Sequence, residues 1–136
     1  MINVWFSERS AGQSSMLYSR KAIGNQYEAL AQRYLQRQGL RFVDKNFSAK
    51  CGELDLIMQD KQCIVFVEVK YRKQTTFGHA AEFVTYKKSQ RLIKTAYLWL
   101  AKSGLSPYTT DFRFDVIAIH QQGEDINWIK NAITQE

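Results

Sequence analysis

Between Lys21 and Gln38 the apolar residues Ile23, Tyr27, Leu30, Ala31, Tyr34 and Leu35 recur at three- and four-residue intervals, which predicts a helix. Gly39 follows as its stop. Three strand-like runs come next: Leu40–Phe47, Glu53–Gln59 and Cys63–Arg72. The last contains Ile64-Val65-Phe66-Val67, a β-branched and aromatic run suited to a strand covered on both faces. Gln74 to His79 reads as a loop. A second helix is expected from about Ala80 or Phe83 to Lys102, with Val84, Leu92, Ile93, Ala96, Leu100 and Ala101 as its apolar stripe. Gly104 to Pro107 ends it, Phe112–His120 is a fourth strand and Ile126–Asn131 a short fifth. The order α-β-β-β-α-β-β predicts an α/β domain, a sheet with helices packed on it, over residues 21–136. Residues 1–20 are serine-rich without a sustained period and read as a loose N-terminal extension. Met16 inside it is a second candidate start.

A chain of 136 residues with 45% hydrophobic content matches one soluble domain with a real core. Its net charge of +6 favours a polyanion such as nucleic acid or an anionic membrane face, although many basic domains have no such partner. No run approaches the ~20 apolar residues of a membrane span, and Met1 to Phe6 lacks the basic flank of a signal peptide. Cys51 and Cys63 are too few for a disulfide scaffold and lack metal-ligand spacing. A cytoplasmic protein is expected.

Candidate chemistry sits on the hairpin of the second and third strands. With Asp60-Lys61 as the turn, Gln59 faces Gln62, Ile57 faces Ile64, Asp55 faces Phe66 and Glu53 faces Glu68. Glu53, Asp55 and Ile57 then share a face with Ile64, Phe66, Glu68 and Lys70. Asp55 and Glu68 become diagonal neighbours whose carboxylates can share one ion, with Lys70 beside them. Their mutual repulsion would be relieved by a hard divalent cation, Mg²⁺ or Mn²⁺. Equally, Glu68 and Lys70 read as a solvated acid–base pair on an edge strand. A one-residue register slip would separate the cluster. Glu28 lies at the border of the first helix's apolar stripe, within reach of the sheet, or simply solvated.

The spacing Gly24…Glu28…Ala31…Tyr34-Leu35…Gly39, then Asn46, Gly52-Glu53-Leu54-Asp55-Leu56-Ile57, Phe66-Val67-Glu68-Val69-Lys70 and Arg72 resembles the YraN family. Phe77-Gly78, Val84, Lys88, Leu92 and Arg113-Phe114-Asp115-Val116 continue the resemblance, which covers about residues 21–120. That family is similar to the archaeal Holliday-junction resolvases and the PD-(D/E)XK nucleases. The resemblance implies a restriction-endonuclease-like mixed central β-sheet flanked by helices. It makes Asp55 and Glu68 metal ligands, with the Val69 carbonyl as a further oxygen, Lys70 the catalytic lysine and Glu28 a helix-borne acid. Leu54-Asp55 stands where the superfamily motif has Pro-Asp.

Lys87, Lys88, Arg91 and Lys94 form a basic patch on the second helix; Arg72 and Lys73 follow the third strand, and Arg20-Lys21 precede the first helix. These are candidate phosphate contacts, or for any single lysine a solvated face. No base-reading element or Gly-rich phosphate cradle is present, and His79 reads as shaping its loop. The expectation is a Mg²⁺- or Mn²⁺-dependent endonuclease on structured or branched DNA, for which a two-fold homodimer is a fitting assembly. The alternative is a nucleic-acid-binding protein that keeps the fold without turnover, or more remotely an interaction module.

Overall fold

The computed structural model describes residues 15–72, 85–120 and 125–133, with side chains from residue 22 to 71 in the first segment. Lys73, the loop from Gln74 to His79, and Val84 lie outside the described residues, as do the side chains of Arg20, Lys21 and Arg72.

Helix α1 spans Ser15–Arg37, so the chain is already helical before Lys21. The end of the expected extension is therefore helical, because a helix propagates through ordinary helix formers without needing an apolar stripe. Tyr27, Ala31 and Leu35 are its buried face. Gly39, at φ 103°, closes the helix: Leu40 N–H donates to Leu35 O at 3.1 Å and Gly39 N–H to Gln36 O at 3.0 Å. This is the paired C-terminal bonding that a left-handed glycine permits.

Five strands follow: β1 (Arg41–Ala49), β2 (Gly52–Asp60), β3 (Cys63–Arg72), β4 (Phe112–His120) and β5 (Asp125–Ile129). They lie in the order β1-β2-β3-β4-β5, with β3 and β4 parallel and every other pair antiparallel. Helix α2 (Tyr86–Lys102) makes the crossover between the parallel strands, so the predicted α-β-β-β-α-β-β order and mixed sheet both hold. Thr85 caps α2, its hydroxyl accepting from Lys88 N–H at 3.1 Å, which sets a later start than the one expected near Ala80 or Phe83. Among the described residues no helix is long and apolar enough to cross a membrane.

The helices cover opposite faces. Val65 and Val67 pack with Tyr27, Ala31 and Leu35 under α1, while Ile64 and Phe66 pack with Leu92, Ala96 and Leu100 under α2. Two covered faces explain why the Ile64 to Val67 run is apolar without alternation. On α2, Ala101 is exposed, while Trp99 and Thr95 are buried where no apolar stripe was expected of them. Trp99 packs edge-on against Phe66 at 5.8 Å and donates its Nε1–H to Asp44 Oδ2 at 3.0 Å, joining α2 to β1. Trp99→Phe keeps most of the packing and strands the Asp44 acceptor. An expected loss of about 1–2 kcal/mol should appear as a lower urea midpoint; no measurable shift would refute the tie.

The hairpin turn falls at Lys61-Gln62, one residue later than expected, with Asp60 paired to Cys63 and Ile57 to Phe66. Lys61 supplies the left-handed φ of 57°. Asp60 stays on the strand because Arg113 Nη2 from β4 holds its Oδ2 at 3.2 Å. Moving the turn by one residue moves the pairing by two, so Ile57, Ile64 and Phe66 keep their common face, whereas Glu53 does not share it, because Leu54 takes that side.

Candidate metal and nucleic-acid site

The β2–β3 ladder ends at Leu56 opposite Val67. Continued one exchange further, its register would pair Leu54 with Val69. Instead Leu54 and Ile57 are buried in the same cluster beneath α2, which strict alternation along β2 forbids. The β2–β3 ladder stops there while β2 itself stays continuous and paired with β1, and Asp55 sits just past the last β2–β3 pair. Its Oδ2 accepts the Val69 N–H at 2.9 Å, so a side-chain carboxylate replaces the expected ladder partner. The N–H and C=O of one strand residue emerge on the same side, so the Val69 carbonyl also faces this gap.

Glu68 comes to the same place. It is 8% exposed, and its proximity and side-chain hydrogen bond act on Asp55. Burial, reinforced by the charges of Glu68 and Glu28 and only partly opposed by the Val69 N–H, pushes the Asp55 carboxyl up to about 8. Glu28, half-buried on α1, is also raised, first by burial and then by Glu53 and Glu68, against the pull of Lys45. Glu68 Oε2 receives Lys88 Nζ at 2.8 Å and Lys70 Nζ at 3.4 Å. Burial and the neighbouring Lys88 lower the Lys70 amine below its ordinary value despite Glu68. Burial works against the Lys88 ammonium too, but its ion pair with Glu68 outweighs it and leaves that group raised.

Asp55, Glu68, Lys70 and Glu28 are thus brought together electrostatically, while Glu53 is exposed at the rim. Asp55 does not reach Glu68 by the diagonal expected from the earlier turn; it lies just beyond the last ladder pair, Leu56 with Val67, and takes the Val69 N–H there. Lys87, Arg91 and Lys94 stand exposed on α2, whereas Lys88 turns into the site. A signal for Lys88 existed: it lies one helical turn before the buried Leu92, on the same face. Lys45, from β1, had none, because only the folded sheet carries its charge to Glu28.

Among the described residues no group of three His, Cys, Asp or Glu forms a ready-made cage for an ion. The donor set still fits Mg²⁺ or Mn²⁺, which is commonly held by one or two carboxylates together with waters and substrate phosphates. Asp55 and Glu68 are such a pair, and a cation would offset both the burial of the Asp55 carboxylate and, after it, the repulsion from Glu68.

The sequence pattern of the uncharacterised protein family UPF0102 matches residues 27–119. A UPF0102 protein of Vibrio vulnificus (strain YJ016) is 64% identical over 119 residues, covering 88% of this chain and 98% of the relative. One from Aliivibrio salmonicida (strain LFI1238) is 54% identical over 117 residues, covering 86% of this chain and 95% of the relative. Another, from Vibrio cholerae (strain O395), is 56% identical over 112 residues, covering 82% and 92%.

Proposed function

The chain belongs to the UPF0102 (YraN) family, and from that premise we propose a metal-dependent endonuclease that hydrolyses phosphodiesters, with structured or branched DNA favoured. The observation that carries the reading is the Asp55 carboxylate seated in a broken ladder against the buried Glu68, with Lys70 on the same acid. A carboxyl raised by burial and like charge, in a cluster with a lowered lysine, is the pattern that acid–base sites use.

Asp55, Glu68 and the Val69 carbonyl would hold Mg²⁺ or Mn²⁺. When bound, such an ion lowers the pKa of a water and offsets charge on a scissile phosphate. Lys70, whose proton is already held less tightly than usual, orients the attacking water or takes its proton. Glu28 adds an acid from α1 close to the same carboxylates. The exposed Lys87, Arg91 and Lys94 would hold phosphates beside the reacting one, and the sequence offers Lys21, Arg72 and Lys73 as further contacts. These contacts position a backbone without reading bases, which suits a structure-selective substrate and, for a branched one, a two-fold dimer. A cytoplasmic setting accords with this substrate and with the free thiols of Cys51 and Cys63.

One observation favours a silent nucleic-acid-binding protein instead: two ammonium groups already neutralise Glu68. Cleavage of branched and linear DNA with Mg²⁺ or Mn²⁺ separates the two. Cutting that falls at least about a hundredfold in Asp55→Ala and Lys70→Ala supports the enzyme. Salt-dependent binding without cutting, unchanged in those variants, supports the binding protein, and no binding at all removes both.

A further inference from the structure

One oxygen of Glu68 carries two ammonium groups, Lys88 Nζ at 2.8 Å and Lys70 Nζ at 3.4 Å. Like charges on a single acceptor repel, so this arrangement holds only while the carboxylate has no better counter-ion. The two lysines are not equivalent. Lys70 is a strand residue with a side chain 21% exposed, whereas Lys88 reaches in from the first turn of α2 and keeps 32% of its side chain exposed. The Lys88 backbone is fixed by the Thr85 cap and by the buried Leu92 one turn on. Its four-carbon stem is therefore the part free to move, and it lies beside the exposed stripe of Lys87, Arg91 and Lys94.

We infer that Lys88 is an exchangeable counter-ion, bound to Glu68 in the cation-free protein and transferred to a nucleic-acid phosphate when Glu68 takes a divalent cation. The inference rests on the metal-dependent reading above and extends it. A cation taken at Glu68 Oε2 competes with the two ammonium groups already held there, and first with the shorter contact, that of Lys88. The released amine stays within a side chain's length of the carboxylates, where a phosphate bound there would meet it. Lys88 thus both lowers cation affinity in the empty protein and adds one phosphate contact to the loaded one.

Calorimetric titration of the full chain with Mn²⁺ near neutral pH, in wild type, Lys88→Met and Lys88→Arg, tests the first half. Removing the competitor should tighten Mn²⁺ binding about tenfold in the methionine variant, while the arginine variant stays within about threefold of wild type. Lys88→Gln gives the same comparison if the methionine variant fails to fold. Binding of a short DNA duplex in saturating Mn²⁺ tests the second: the slope of log K against log salt should fall by about one in Lys88→Met. Unchanged or weaker Mn²⁺ binding in a folded Lys88→Met protein overturns the inference and leaves the cation site standing. An unchanged salt slope overturns the transfer to phosphate. No Mn²⁺ uptake by the wild type overturns this inference and the metal-dependent reading together.

Discussion

Asp115→Ala is expected to cost about 3–5 kcal/mol of folding free energy. Asp115 is fully buried on β4 and gathers donors from three places. Arg113 Nε donates to it at 3.0 Å, Trp128 Nε1 from β5 at 2.9 Å, and the Asn131 backbone N–H at 2.8 Å. Alanine leaves each donor without this acceptor and takes one of the Arg113 guanidinium's two carboxylate partners. Arg113 keeps Asp60, which limits the loss but also transmits it, since that pair holds the hairpin offset. Urea unfolding followed by tryptophan fluorescence reads the effect, and a loss below about 1 kcal/mol would show that the donors find water instead. The same variant should weaken the β5 edge first, visible as faster amide exchange at Trp128 and its neighbours.

The second large effect is a fall in the stability of the cation-free protein as pH rises from about 4 to about 8. The Asp55 carboxyl titrates near 3.8 when exposed and near 8 in the fold, chiefly because it is buried and then because Glu68 is beside it. Between those values only the folded chain holds the proton. Its contribution is therefore fully present below the unfolded value and is lost as pH climbs through the folded one. Each pH unit of that window is worth at most about 1.4 kcal/mol, and partial solvation of the half-buried group reduces the total to on the order of 1–3 kcal/mol. Asp55→Asn imitates the protonated form and can still accept the Val69 N–H, so it should remove most of the slope and be the more stable protein at pH 8. Thermal unfolding across that range compares the two. Parallel profiles for wild type and Asp55→Asn would mean that Asp55 ionises normally and that the crowding argument is wrong.

Both effects come from carboxylates on neighbouring parts of one sheet, and the contrast separates a structural acid from a candidate functional one. Asp115 is surrounded by donors that satisfy it, so its charge stabilises the fold. Asp55 has one backbone donor and two acids, so its charge opposes folding until a cation or proton arrives. A site that gives up stability in this way marks chemistry more surely than a satisfied one.

Helical spacing from Ile23 to Leu35, β-branched density from Ile64 to Val67, and the stops at Gly39 and Gly104 were enough to order every described element. Those signals are local, and a helix or strand is a local periodicity. The hairpin also placed Glu68 and Lys70 on the face of Ile57 and Phe66, because pairing parity survives an error of one residue in the turn. What only the tertiary structure decided involves residues far apart in the chain. Arg113 on β4 ties down Asp60 at the hairpin end, and the Asp55 carboxylate takes the Val69 N–H where the β2–β3 ladder stops. The crossover helix delivered Lys88 to Glu68, and β1 brought Lys45 toward Glu28. A periodic pattern tells which face a residue takes, but not which distant charge stands opposite; that depends on how the sheet and helices pack.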